Sequence, residues 1–137
     1  MPRTDVVACL VRDGVEVMNG YRILIVDDDK ASRDTLRRLF AHKGWVVTVA
    51  TCVTEALTKL DPPPLCVLLD LMLPDGDGEE VLRKVRDEGM PTRVVVHTGT
   101  DDPVRLALVK GMDADAMFRK PIDFDEVCRA CEDETIC

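Results

Sequence analysis

The sequence predicts an α/β fold, a doubly wound five-stranded parallel sheet with helices on both faces. Three observations carry this. From Arg22 onward, short apolar runs alternate with amphipathic segments, the pattern of repeated βα units. The run Leu65-Cys66-Val67-Leu68-Leu69 is apolar throughout, as expected of a strand covered on both faces. Four apolar runs also end in reactive polar residues. Ile23–Val26 leads into Asp27-Asp28-Asp29, Leu65–Leu69 into Asp70, Arg93–Val96 into His97-Thr98, and Ala116–Phe118 into Arg119-Lys120-Pro121. As parallel strands, these runs place their carboxyl ends on one edge, where open α/β sheets hold ligands.

Arg22–Val26 reads as the first strand. Ala31–Lys43 reads as a helix with Leu36, Leu39 and Phe40 on one face and Gly44 as its stop. The β-branched stretch Trp45–Ala50 is the second strand. Val53–Leu60 is helical until Asp61-Pro62-Pro63-Pro64 breaks it. After the third strand, Leu65–Leu69, a helix over Glu79–Asp87 turns Val81, Leu82 and Val85 inward, and Gly89 follows it. Arg93–His97 is the fourth strand. Pro103–Lys110 is a short helix with Asp101 or Asp102 as N-cap, Pro103 at its first position and Gly111 as its stop. The fifth strand is Ala116–Arg119 and the closing helix Phe124–Asp133. Right-handed crossovers favour the strand order 2-1-3-4-5.

Residues 1–20 stand outside the alternation. Val6–Val11 and Val15–Met18 flank Arg12-Asp13-Gly14, and Asp-Gly is a strong hairpin signal. The segment reads as an N-terminal β-hairpin arm, with Met18 as an alternative start. The main domain spans 21–133, and 134–137 form a short acidic tail.

A net charge of −8 argues against nucleic acid, whose binders carry a basic face. No apolar stretch reaches the roughly 18 residues of a membrane span, and the first 20 residues lack a signal-peptide pattern. A cytoplasmic location is expected. Six cysteines raise the question of disulfides, but Cys66 sits inside an apolar strand. Phe124, Val127, Cys128 and Cys131 fall on one helical stripe. They read as small core hydrophobes in a reducing compartment, with Cys9 and Cys137 the most exposed.

Asp27, Asp28 and Asp70 on one edge raise an electrostatic problem. Two carboxylates about 4 Å apart repel by roughly 4 kcal/mol at an effective dielectric near 20. Lys120 offers one compensating charge, and a hard divalent ion is the natural second. Oxygen donors without His or Cys suit Mg2+. The plainer reading of the triple acid is a helix cap, which accounts for Asp29 alone.

Ile23-Leu24-Ile25-Val26-Asp27-Asp28-Asp29, Leu68-Leu69-Asp70-Leu71-Met72-Leu73-Pro74-Asp75-Gly76-Asp77-Gly78, Val94-Val95-Val96-His97-Thr98-Gly99 and Lys120-Pro121 together resemble a response-regulator receiver domain of two-component signalling, the CheY-like family. The resemblance runs from about Arg22 to about Ala130 and implies the family's flavodoxin-like sheet. It implies that Asp70 is the phosphoacceptor, taking a phosphoryl group from the phosphohistidine of a sensor histidine kinase or histidine phosphotransfer protein. Asp28 is then a direct ligand of Mg2+ (or Mn2+) and Asp27 a ligand largely through water. Asp70 and the backbone carbonyl of Met72 complete the protein ligands. The Thr98 hydroxyl and Lys120 ammonium take phosphoryl oxygens, Pro121 follows a cis peptide, and Gly99 leaves the phosphorus approachable. One departure stands out. Met117 occupies the position where the family often has a Tyr or Phe that swings inward on activation, so the switch rests on Thr98 with an aliphatic partner. His97 is expected to point away from the edge, with a pH-sensitive or catalytic role as the alternative.

The helix at 103–110 is apolar on more than one face through Val104, Leu106, Ala107, Leu108 and Val109. With the fifth strand and last helix it is expected to form a phosphorylation-sensitive dimer or partner surface. No effector segment is legible after Ala130, which leaves a stand-alone receiver and a piece of a longer protein both open. Two other readings compete. A docking module would accept no phosphate. A haloacid-dehalogenase-type phosphatase needs a second aspartate two residues after its nucleophile, where this chain has Met72.

Overall fold

Five parallel strands form the central sheet: β3 (Arg22–Val26), β4 (Val46–Ala50), β5 (Cys66–Leu69), β8 (Arg93–Thr98) and β9 (Ala116–Arg119). They lie in the order β4-β3-β5-β8-β9, the expected 2-1-3-4-5 arrangement. The computed structural model describes residues 10–12, 15–17 and 20–132. Ahead of the sheet, β1 (Leu10–Arg12) and β2 (Val15–Val17) pair antiparallel, Arg12 opposite Val15, so that two residues separate the strands. The expected hairpin therefore forms over its inner half; Val6–Cys9, the Asp13-Gly14 turn and Met18 lie outside the described residues, as does the 134–137 tail.

Helices α1 (Lys30–His42) and α5 (Phe124–Glu132) cover one face; α2 (Val53–Thr58), α3 (Glu79–Asp87) and α4 (Pro103–Gly111) cover the other. Strand alternation sorts the core. Ile23, Ile25, Leu68 and Val95 pack with Leu36, Phe40, Trp45 and Val127. Leu24, Val26, Val67, Leu69, Val94 and Val96 pack with Leu60, Val81, Leu82, Val85 and Val109. The few aromatics concentrate on the first face, where Phe40 meets Trp45 and Phe124 edge-on at centroid distances of 5.8 and 5.0 Å.

Cys66, Cys128 and Cys131 are buried and free. Burial, followed by the nearby Glu132 carboxylate, pushes the Cys128 thiol up to about 12, and burial likewise raises Cys131. These thiols behave as core hydrophobes.

Capping sets the helix starts. Asp29 accepts a hydrogen bond from Ser32 N at 3.0 Å at the head of α1, and Asp102 accepts from Val104 N at 3.0 Å at the head of α4. Asp29→Ala should lower stability by about 1 kcal/mol, read as a reduced urea midpoint at unchanged slope. Helix α2 ends at Thr58, two residues before the expected Leu60. Asp61 precedes Pro62 and is barred from helical backbone, while Leu60 is held fully buried. A short hairpin, β6 (Met72–Leu73) with β7 (Gly76–Asp77), follows β5 and was not anticipated. Asp75 at its tip accepts hydrogen bonds from Val53 N (2.7 Å), Thr54 N (3.0 Å) and Thr54 Oγ1 (2.9 Å), fastening this loop to the start of α2.

Candidate functional site

The ladder continues one residue past the strands and fixes the backbone of the edge residues. Asp27 N donates to Ala50 O at 3.1 Å, Asp70 N to Val26 O at 2.9 Å, and Lys120 N to Thr98 O at 2.8 Å. Three separate segments are thereby delivered to one place. Lys120 Nζ lies 3.0 Å from Asp70 Oδ2 and 3.3 Å from Asp27 Oδ2. One carboxylate oxygen each from Asp27, Asp28 and Asp70 falls within 4.8 Å of the others. The Lys120–Pro121 peptide is cis, as expected; Asp61–Pro62 is a second cis bond that the sequence reading did not foresee.

The two buried carboxylates are individually tied down. Asp27, fully buried, accepts from Asp29 N at 2.9 Å through Oδ1 and from Ser32 Oγ at 2.9 Å through Oδ2. Asp70, 4% exposed, accepts from Met72 N at 3.0 Å through Oδ1. Burial works against the charge on Lys120, but the hydrogen bond and charge of Asp70, then of Asp27, outweigh it and hold its pKa above the ordinary value. Gly78 limits this corner: a Cβ there would stand 2.3 Å from the Asp70 carbonyl oxygen.

A cavity of about 530 Å³ opens over the edge, walled by Asp28, Asp70, Met72, Gly99, Arg105 and Lys120. Thr98 is fully buried, and its Oγ1 accepts from Thr100 N at 3.2 Å. Met117 is half-buried against the Val94–Val96 face of the sheet. His97 departs from its expected place. It does face the side opposite Thr98, but Asp27 projects to that side too. The imidazole is fully buried, with Nε2 3.9 Å from Asp27 Oδ2, and its polar neighbour on the main chain is Val26, at a geometry short of a well-formed hydrogen bond. Burial first, then the charge of Lys120, lowers its pKa to about 4 against the pull of Asp27 and Asp70.

Residues 23–132 match the family model of the response regulator receiver domain. The chain belongs to the response regulator receiver family. The receiver is 35% identical over 107 residues to the transcriptional regulatory protein TrcR of Mycobacterium tuberculosis, covering 77% of this chain and 42% of TrcR. It is 38% identical over 109 residues to the response regulator MprA of Mycobacterium ulcerans, covering 77% of this chain and 46% of that protein. The chain thus spans less than half the length of these relatives. Among solved structures, a CheY-like receiver domain from Methanospirillum hungatei superposes with TM-score 0.74 at 29% identity, covering 79% of this chain and 87% of that one. The Francisella response regulator 1452 receiver domain gives 0.72 at 26%, covering 80% and 93%. Receivers are regulatory domains of two-component systems, and no helix among the described residues is long and apolar enough to cross a membrane.

Three contributors escaped the sequence reading: Ser32, Asp75 and the pair Glu79–Arg105. Ser32 follows Asp27 by five residues on the first turn of α1, a spacing that brings a hydroxyl back over the strand end. The Pro74-Asp75-Gly76 turn signal could have revealed the hairpin. Arg105, the one charge before Lys110 in an otherwise apolar helix, was the available sign of the third.

Proposed function

We propose that Asp70 is the phosphoacceptor of this receiver and that the phosphodonor is a histidine kinase or a histidine phosphotransfer protein. The supporting observation is Lys120 Nζ bridging two buried carboxylates, at 3.0 Å from Asp70 and 3.3 Å from Asp27, on a cavity open to solvent. An oxygen of Asp70 attacks the phosphorus. The P–N bond to the donor imidazole breaks, the imidazole nitrogen keeps the electron pair, and an aspartyl phosphate results. Such transfer is governed by alignment and charge neutralisation. Lys120 supplies a fixed cation at the oxygens, and the Met72 N–H orients the carboxylate through its other oxygen. Gly99 keeps the approach free of a side chain. Thr98 is the hydroxyl we assign to a phosphoryl oxygen: its Oγ1 accepts the Thr100 N–H and its own O–H is the donor toward the phosphoryl group, with Met117 the packing residue that answers that movement.

The donor set fits a hard divalent ion. Three carboxylate oxygens within 4.8 Å are only partly neutralised by one ammonium. Asp27, Asp28, Asp70 and the backbone carbonyl of Met72 would hold Mg2+ (or Mn2+), which when bound neutralises charge on the transferring oxygens. We read 21–133 as the receiver unit, cytoplasmic and regulatory, turning over only its own phosphate. Residues 1–20 precede that unit and residues 134–137 follow it. The output surface is α4 with β9 and α5: Val104 is 76% and Leu108 55% exposed, and Val109 alone is buried in α4. A second copy or a downstream protein would cover it.

Incubation with acetyl phosphate and Mg2+ should add about 80 Da, the mass of one phosphoryl group. The adduct should be absent with EDTA and absent in Asp70→Asn. An adduct that persists in Asp70→Asn overturns the assignment. No adduct on the wild type leaves the docking-module reading instead.

A further inference from the structure

Arg105 couples α4 to the loop that follows Asp70. Its guanidinium binds the Glu79 carboxylate through two hydrogen bonds, Nε to Oε2 at 2.7 Å and Nη2 to Oε1 at 2.9 Å. Nη2 also donates to the carbonyl of Leu71, the residue after Asp70, and lies 3.6 Å from Asp77 Oδ1. Glu79 is 5% exposed at the start of α3. Burial of Glu79 alone would raise its pKa, but the Arg105 hydrogen bond and charge leave it lowered. This is a committed ion pair, and it crosses from α4 to α3 beside the cavity.

Two further facts give the pair a role. Val109 is the one buried residue of α4, so the N-terminal half of that helix has little apolar anchorage, and Arg105 is its main attachment to the body of the domain. Arg105 also lines the same cavity as Asp70 and Lys120. A phosphoryl group adds about −1.5 to −2 charge and strong acceptor oxygens there. Lys120 is already shared between Asp27 and Asp70. A guanidinium matches phosphoryl oxygens in bidentate geometry.

We propose that Arg105 is a positioning residue held by Glu79 and the Leu71 carbonyl before phosphorylation and drawn to the phosphoryl group afterwards, carrying the N-terminal half of α4 with it. This rests on the reading of Asp70 as phosphoacceptor. Glu79 and the phosphoryl group compete for one cation, so weakening either competitor strengthens the other.

The test is the affinity of the full chain for beryllofluoride with Mg2+, in wild type, Arg105→Gln, Glu79→Gln and the double variant, with amide exchange over 103–111. Removing one charged hydrogen-bond partner is worth about tenfold. Arg105→Gln should weaken beryllofluoride binding by about that factor, and Glu79→Gln should tighten it several-fold. The double variant should match Arg105→Gln alone, since Glu79 acts only through Arg105. Exchange over the first half of α4 should respond to beryllofluoride in the wild type and not in Arg105→Gln. A purely structural ion pair cannot send the two single variants in opposite directions. Shifts of equal sign, or none, overturn the proposal. The acetyl phosphate adduct reports on Asp70 separately: a normal adduct with unresponsive variants defeats the Arg105 role alone, whereas no adduct and no beryllofluoride binding in the wild type defeats both.

Discussion

Lys120→Met is expected to slow formation of the aspartyl phosphate from acetyl phosphate by about 10²- to 10³-fold, the usual effect of removing one donor aimed at developing charge. The ammonium stands 3.0 Å from the Asp70 oxygen and is the one cation hydrogen-bonded to it among the described residues. Methionine keeps the length and apolar stem of lysine, so packing around strand β9 is preserved. The substitution also leaves Asp27 and Asp70 facing each other without their shared partner. Breaking a fully buried ion pair costs roughly 3–5 kcal/mol. Lys120 keeps 31% of its side chain exposed, so solvent screening reduces the expected loss to about 1–2 kcal/mol in EDTA. The raised pKa of Lys120 fixes the window: the contribution is complete below the ordinary 10.5 and is lost only as pH rises through the higher folded value.

Adding Mg2+ separates the two effects. Lys120 and a divalent ion neutralise the same carboxylates, so Mg2+ should restore most of the lost stability in Lys120→Met while phosphorylation stays slow. A variant slow merely because it is partly unfolded would regain rate along with stability. Urea unfolding with and without Mg2+, paired with stopped-flow phosphorylation, makes the distinction. A rate within about threefold of wild type in Mg2+ would show that the ammonium is no part of the chemistry.

The groups that sequence could reach are those whose position follows from strand ends alone. Asp27, Asp70, Thr98 and Lys120 each sit at or just past an apolar run, and once the runs are parallel the edge assembles itself. The Glu79–Arg105 pair is of another kind. It forms because α3 and α4 lie beside each other across 26 residues of chain, and neither residue sits at the end of a strand of the central sheet. Asp75 is similar, reaching α2 across 21 and 22 residues because the β6–β7 hairpin folds it back. His97 was legible in principle. Period two places it on the face of Val95, and the same period places Asp27 on the face of Ile25; the registers Ile25↔Leu68 and Leu68↔Val95 make those one face. Reading each strand separately concealed that the two side chains meet.

That meeting has a measurable consequence. His97→Leu is expected to remove much of the acid lability of the metal-free protein. A buried imidazole with no well-formed hydrogen bond is held neutral: burial and the Lys120 charge outweigh Asp27, Asp70 and the Val26 backbone and lower its pKa from 6.5 to about 4. Between those values the unfolded chain binds a proton that the folded chain refuses. Stability therefore falls as pH drops from about 6.5 towards 4 and is unaffected by this group above 6.5. The shift corresponds to about 3 kcal/mol over that window. Leucine fills similar volume without a polar atom, so the variant should be as stable as wild type at pH 7, or about 1 kcal/mol more so. At pH 4.5 in EDTA the gap should widen by about 2–3 kcal/mol in urea unfolding. Curves that stay parallel from pH 7 to 4.5 would mean that the imidazole accepts its proton inside the fold. The electrostatic part can be isolated as well. Lys120 is the second cause of the lowered pKa after burial, so the gap should narrow when His97→Leu is compared in a Lys120→Met background. An unchanged gap would leave burial as the sole cause.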